Sequence, residues 1–353
     1  MSETGSVWSE QDTTPADIEA AMRELLKERH SETEAFVPAR VLNLVVIVDR
    51  EWSGEIRNRL DRVGSYNASR TILCNVEQGR QTIDASATMT AEEDLAKGEL
   101  AVAHEQIVLE IGEKHLKNLD TIVDPLVVSD LATLVWSPHR HHEAVDAMRK
   151  LAQIVLIDSQ NTEGAEYAVK RSRELADRHY VVDLAWLRST PWRERVAFTF
   201  DPVQWRPELQ RISSVSVRHE PSSAMAGLLL LGWMSSRLGW SPSRLTEHGG
   251  KTSGSARTHR QDIKLQLEPD STMTTPGLAG ITVETSTGMS ISLDRGAGGL
   301  AARRSWPDGK EQTWTVTGAS RGESGILGEG IRQALLRDGT YAPALAAAER
   351  MVA

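Results

Sequence analysis

With 353 residues, 40% of them apolar and 25% charged, the chain has globular composition and a length that suggests about two domains. A formal net charge of −9 opposes nonspecific attraction to nucleic acid, whose phosphates call for a dense lysine and arginine face. The longest strongly apolar run, Ala224 to Met234, falls short of the roughly 18 residues of a membrane span, and the polar, acidic start MSETGSVWSEQDTTPAD lacks the features of a secretory signal, so a cytoplasmic location is expected.

Thr14 followed by Pro15 predicts a capped helix over Ala16 to Lys27, with the residues before it disordered. Val41 to Val48 (VLNLVVIV) is a β-branched apolar run of the kind that forms a strand buried on both faces, and Asp49 ends it. Trp52 to Val63 has helical spacing and Thr71 to Val76 is again a strand, which makes a βαβ pattern. Gln81 to Thr90 and Leu100 to Glu113 alternate more weakly and predict antiparallel edge strands joined through AEEDLAKGE. Leu131 to Trp136, Ile154 to Ile157 and Tyr180 to Leu184 then recur as strands, with helices over His141 to Ala152 and Glu163 to Arg178. Alternation of this kind implies a mostly parallel sheet flanked by helices, which binds ligands beyond the carboxyl ends of its strands, where Asp49, Ser137, Asp158 and Ser159 would lie.

After Pro202 the pattern changes. Ile212 to Arg218 alternates, Ser222 to Leu238 predicts a capped helix, Asp262 to Thr317 holds several short strands with glycine-rich turns, and Ile326 to Arg337 and Tyr341 to Val352 close the chain as helices. The expected organisation is therefore an N-terminal tail and helix (1–38), an α/β domain (39–201) and an α+β domain with antiparallel strands (202–353). Within the last, Ser241 to Arg260 carries Arg244, Lys251, Arg257 and Arg260 against Glu247 alone and is expected to be a mobile, basic Gly/Ser-rich connector (241–260).

Signatures of catalysis are weak. His139, His141 and His142 cluster in SPHRHHEAV, yet neighbouring side chains on a starting helix diverge and the single cysteine, Cys74, is far away in sequence, so no metal is expected. HGGKTSG (248–254) lacks the first glycine of a P-loop and the apolar helix that follows one, and DREWSGE (49–55) lacks the G-x-G-x-x-G of a dinucleotide site. No G-x-S-x-G elbow occurs. Asp158 and Asp183 both close strands; capping the next helix or pairing with arginine is the ordinary role, and meeting across a crevice the catalytic one. Cys74 reads as a buried small hydrophobe and excludes a disulfide within the chain.

Tryptophan is the distinctive feature, with ten against three phenylalanines, several flanked by arginine as in DLAWLRSTPWRER (183–195) and GWMSSRLGW (232–240). Both residue types are enriched at protein interfaces, although core packing is the commoner fate of an indole. The segments VLNLVVIVD, SRTILCNV, DPLVVSDLATLVW, IVLIDSQ, DLAWLRSTPWRERVAFTFD and LLLLGWMSSRLGW, taken in order from about Ala39 to Trp240, resemble the OpcA family, the glucose-6-phosphate dehydrogenase assembly proteins. The resemblance implies a non-catalytic assembly factor or allosteric activator in the oxidative pentose phosphate pathway, holding no cofactor itself, with NADP belonging to the dehydrogenase partner. It carries over to Asp158, Ser159, Asp183, Trp186, Arg188, Trp192 and Arg193, then Gly232, Trp233, Arg237, Gly239 and Trp240, as residues of partner binding or of the family motif. Trp136 joins them with a departure: Val135 and Trp136 stand where family members commonly show a tryptophan pair, and Asp130 and Leu131 where a D-x-P step is usual. The alternative reading is a sugar-phosphate-binding sensor or enzyme using the strand-end crevice, with Arg188, Arg193 or the basic connector holding phosphate.

Overall fold

The computed structural model describes residues 5–32, 40–64, 69–91, 103–161, 164–296, 298–317 and 322–353. The first part of the chain runs β1 (Gly5–Glu10), α1 (Pro15–Glu32), β2 (Leu42–Asp49), α2 (Ser53–Gly64), β3 (Ser69–Glu77), β4 (Asp84–Ala91), β5 (Ala103–Gly112), α3 (Leu119–Val123), β6 (Thr133–Trp136), α4 (His142–Met148), β7 (Ile154–Ile157), α5 (Ala165–Ala176) and β8 (Tyr180–Asp183). The second part runs α6 (Leu184–Arg188), α7 (Thr190–Phe200), β9 (Ile212–His219), α8 (Ala224–Leu238), β10 (Ser241–Pro242), β11 (Thr246–His248), β12 (Lys251–Arg257), β13 (Asp262–Pro269), β14 (Leu278–Thr285), β15 (Ser290–Gly296), β16 (Gly299–Ser305), β17 (Glu311–Thr317), α9 (Gly322–Leu336) and α10 (Tyr341–Val352). The expected two-part α/β architecture is observed. The linker AEEDLAKGE falls almost wholly outside the described residues.

The chain divides into two compact units, one of Met1–Ile157, His179–Val182 and Glu323–Leu336, the other of Asp158–Arg178, Asp183–Gly322 and Arg337–Ala353. The first unit holds an eight-stranded sheet ordered β1-β4-β5-β3-β2-β6-β7-β8, parallel from β5 through β7 and antiparallel at the β1-β4-β5 edge. β2 sits at its centre because seven of its eight residues are buried, as a strand covered on both faces requires. The polar residue inside that strand, Asn43, is fully satisfied: its amide donates to the carbonyls of Val128 and Leu131 and to Thr133 Oγ1, and accepts from Val128 N at 2.9 Å. Glu105 on β5 is also buried, and two guanidinium groups, Arg40 and Arg70, pair with it. Cys74 on β3 is fully buried and burial pushes its thiol up to about 12.

Two sequence expectations are corrected. Of the residues before α1, Gly5–Glu10 form an edge strand, β1, antiparallel to β4, and Thr13 N donates to Ile83 O at 2.8 Å. GSVWSE holds two apolar residues side by side and no alternation, so its strand comes from tertiary pairing. The stretch 241–260 is β-structure, with β10, β11, β12 and β13 in one antiparallel array. Its glycines answer geometric needs. A Cβ on Gly254 would lie 2.7 Å from the Leu245 side chain and 2.9 Å from Arg244 O, while Gly249 and Gly250, at φ 61° and 77°, make the two-residue turn between paired His248 and Lys251. HGGKTSG is thus a hairpin and cannot wrap a phosphate as a P-loop does.

The second unit is built on a sheet ordered β10-β12-β13-β9-β14-β15-β16-β17, with β11 on β12 and only β13 and β9 parallel. Alternation puts Val215, Val217, Leu265, Leu267, Ile281, Val283, Ile291 and Leu293 on one face, each buried, and α8 packs there. Gly227 permits the approach, since a Cβ there would lie 2.7 Å from Leu267 Cδ2. α8 begins behind Glu220, whose carboxylate accepts from Ser222 N at 3.0 Å and Ser223 Oγ at 3.0 Å, and ends at Gly239 in the left-handed conformation, φ 69°.

Candidate functional site

The segment DLAWLRSTPWR makes a compact polar and aromatic knot in the second unit. Asp183 ends β8 and caps α6, accepting from Ala185 N at 3.0 Å. It also accepts from Ser159 N at 3.1 Å, Ser159 Oγ at 2.6 Å and Tyr341 Oη at 3.1 Å, the last from the start of α10. Burial nevertheless dominates these four donors and pushes its carboxyl up to about 6. Burial likewise raises the Tyr341 phenol well above its ordinary value. Asp158, just after β7, takes both arms of Arg188, at 2.9 and 2.8 Å. Each aspartate therefore has the ordinary role, one as a helix cap and the other as an arginine partner.

Trp186 is 2% exposed and donates from Nε1 to Asp338 at 2.9 Å. Arg193 lies 3.4 Å over its ring, and donates to Trp186 O at 3.2 Å and Thr190 Oγ1 at 2.8 Å. Burial pulls that guanidinium down to about 10, so it stays charged at neutral pH. Tyr341 also meets Trp186 edge-on, at 5.6 Å. Trp192 is buried on α7. The indoles and guanidinium groups of this motif thus contact one another and the core. Trp136, on β6 of the first unit, is also buried.

The second motif, GWMSSRLGW, behaves differently. Gly232 lets α8 lie against α10: a Cβ there would overlap Ala344 O and sit 3.2 Å from Ala348 N. Trp240 is buried, and its N donates to Ser235 O at 2.9 Å. Trp233 is half-buried, whereas Arg237 and the cap Gly239 are exposed.

Two further clusters escaped the sequence reading. In the first unit, Asp49 at the end of β2 meets the loop after β6: His141 Nε2 stands 3.0 Å and His139 Nδ1 3.8 Å from its carboxylate, and Trp52 packs at 5.7 Å from His139. This is the point where the sheet's strand order reverses, the usual ligand position of a doubly wound fold. Burial lowers the His139 pKa, and among the described residues no group of three or more His, Cys, Asp or Glu could hold a metal ion. A cavity of about 250 Å³ in the same unit is lined by Ser9, Glu10, Gln11, Asp84, Ala85, Ser86 and Glu110, acids rather than bases. In the second unit, Arg304 lies buried with its guanidinium 4.4 Å from Trp205 and 5.4 Å from Trp314, donating to Thr199 O at 2.6 Å. Its place two residues after buried Ala302 on β16 was the available signal.

Residues 61–174 match the family described as glucose-6-phosphate dehydrogenase subunit N-terminal domain, and residues 179–345 that described as its C-terminal domain. The proteins of Synechococcus elongatus and Synechocystis sp., both provisionally named OxPP cycle protein OpcA, are 26% identical over 194 residues and 24% over 231. These matches cover 54% and 64% of this chain but 44% and 48% of those proteins, so the chain spans about half the length of the curated relatives it matches. Among solved structures, UDP-N-acetylglucosamine 3-dehydrogenase GnnA of Acidithiobacillus ferrooxidans superposes with a TM-score of 0.46 at 8% identity, covering 87% of this chain and 96% of that one. The WlbA dehydrogenase of Thermus thermophilus does so with 0.43 at 11%, covering 88% and 94%. With both subunit domains matched in order along the sequence, the chain belongs to the OpcA family of glucose-6-phosphate dehydrogenase subunit proteins.

Proposed function

We propose that this chain is a non-catalytic cytoplasmic partner of glucose-6-phosphate dehydrogenase that assembles with it and favours its active conformation, in the oxidative pentose phosphate pathway. The observation that carries this reading is the internal engagement of the motif's reactive groups: Arg188 on Asp158, Arg193 on Trp186, and Asp183 under four donors. Groups held in that way support a shape and leave little for bond-making. An activator acts by binding the active state more tightly than the inactive one, and a tenfold shift needs about 1.4 kcal/mol of differential binding. A few aromatic or arginine contacts supply that much.

The test is an assay of the cognate dehydrogenase with and without the chain. A lower KM, a higher rate or a changed oligomeric state is expected; no change in any of the three at saturating chain rejects the proposal. The sugar-phosphate reading loses two of its intended anion holders, since Arg188 is paired and Arg193 is buried against an indole. Calorimetry with glucose 6-phosphate and 6-phosphogluconate separates the readings: saturable heat from the isolated chain would favour the sensor, silence the partner role.

A further inference from the structure

α8 and α10 lie side by side and finish together. Gly232 meets Ala344 and Ala348, and past the end of α8 the N–H of Leu245 donates to Met351 O at 2.8 Å. Arg244 and Arg350 each immediately precede a residue of that bonded pair. Trp233 and Arg237 stand four residues apart on α8 and share a face, with Arg237 in the last turn. Arg237, Arg244 and Arg350 are all exposed, and none of their guanidinium groups makes a hydrogen bond or ion pair with another described residue. Glu349, beside Arg350, is taken by Arg173 at 3.0 Å, and Glu247 is the one acid among residues 241–250.

We infer that this end of the α8/α10 pair is the docking surface for an acidic face of the dehydrogenase, an assignment that rests on the function proposed above. Three guanidinium groups take the partner's carboxylates and Trp233 supplies the apolar contact. Charge complementarity selects the place and the occupant. The chain carries −9 overall, so a group of arginines with no side-chain partner among the described residues is a place where an acidic protein meets attraction against a net repulsion. Residue type agrees, because tryptophan and arginine dominate binding hot spots. These arginines also break no pair with a described residue on binding, unlike Arg188, whose capture by a partner would strand Asp158.

The experiment measures binding of the full chain to the cognate dehydrogenase by interferometry at two salt concentrations. The variant Arg237→Glu, Arg244→Glu, Arg350→Glu is expected to bind at least about tenfold more weakly, mostly through slower association, and to lose most of the salt dependence. Arg303→Glu, at an exposed arginine on β16, controls for reversing a charge outside the proposed surface and is expected to stay within about twofold of the parent. Circular dichroism checks that the triple variant folds, and Arg244→Gln with Arg350→Gln gives the same reading with less charge change if it does not. A folded variant that binds like the parent overturns the docking surface and leaves the proposed function standing. A parent chain that shows no binding overturns both. Binding of duplex DNA at physiological salt through these arginines, with dehydrogenase binding unaffected by their reversal, overturns the assignment to an acidic protein.

Discussion

The two motif segments use the same residue types to opposite ends. In 183–193, tryptophan and arginine are buried against one another, with Arg193 stacked on Trp186 and Trp186 bonded to Asp338. In 232–240, glycine does the packing, Trp240 is buried, and Trp233 and Arg237 are left facing solvent to different degrees. A tryptophan-arginine motif is therefore not evidence of an interface by itself. What decides is whether the guanidinium already has a partner and whether the indole face is covered.

The largest effect that could break this contrast is expected at Trp186. Trp186→Ala removes a fully packed indole, leaves Arg193 without its stack and Asp338 without its donor, and should cost about 3–5 kcal/mol in denaturant unfolding. A loss under about 1 kcal/mol would mean the first segment is not a structural knot. Trp192, also buried, should respond similarly, so loss of dehydrogenase binding in Trp192→Ala would report unfolding rather than a lost contact.

Next comes Asp183. Its folded pKa, about 6, lies above the ordinary 3.8, so the fold holds this proton more tightly than the unfolded chain does. The stability it contributes is present in full below about pH 4 and is lost as pH rises through about 6. Relative to Asp183→Asn, the parent should therefore lose on the order of 2–3 kcal/mol between pH 4 and pH 7, read from unfolding midpoints across that range. Acids whose pKa is lowered, such as Asp84 held by the Asp12 N–H and Glu220 held by the Ser222 hydroxyl, give the opposite slope in both proteins and cancel in the difference. Parallel profiles for the two proteins would place the Asp183 titration elsewhere.

Gly232→Ala sharpens the second segment. The new methyl would collide with backbone of α10, which cannot yield as a side-chain tip can, and a cost of about 1–3 kcal/mol is expected in thermal or denaturant unfolding. Smallest is Arg237→Ala, which should change stability by less than about 0.5 kcal/mol because the side chain is exposed and has no partner among the described residues. A large destabilisation there would turn Arg237 into a structural residue and remove it from the docking surface.

Much of the fold was legible because burial writes itself into the sequence. VLNLVVIV and IVLI read as buried strands and are β2 and β7, and the apolar run after Ser222 is α8. β1 and β10–β12 were not legible, since their residues are mostly polar or small and their pairing is set by β4 and β13. At the site, the sequence named the residues of the knot but not their partners, because Asp338 and Tyr341 lie some 150 residues away in the chain and are brought in by α10. The meeting of Asp49 with His139 and His141 was hidden for the same reason: it needs β2 and β6 to be neighbours, and three strands intervene in sequence.

Sedimentation velocity on a mixture of the purified chain and its cognate dehydrogenase, at about 10 μM each, shows whether the two proteins form a complex. A faster boundary containing both proteins is expected. Two boundaries that each move as the separate components do would mean that the chain is not a partner of the dehydrogenase.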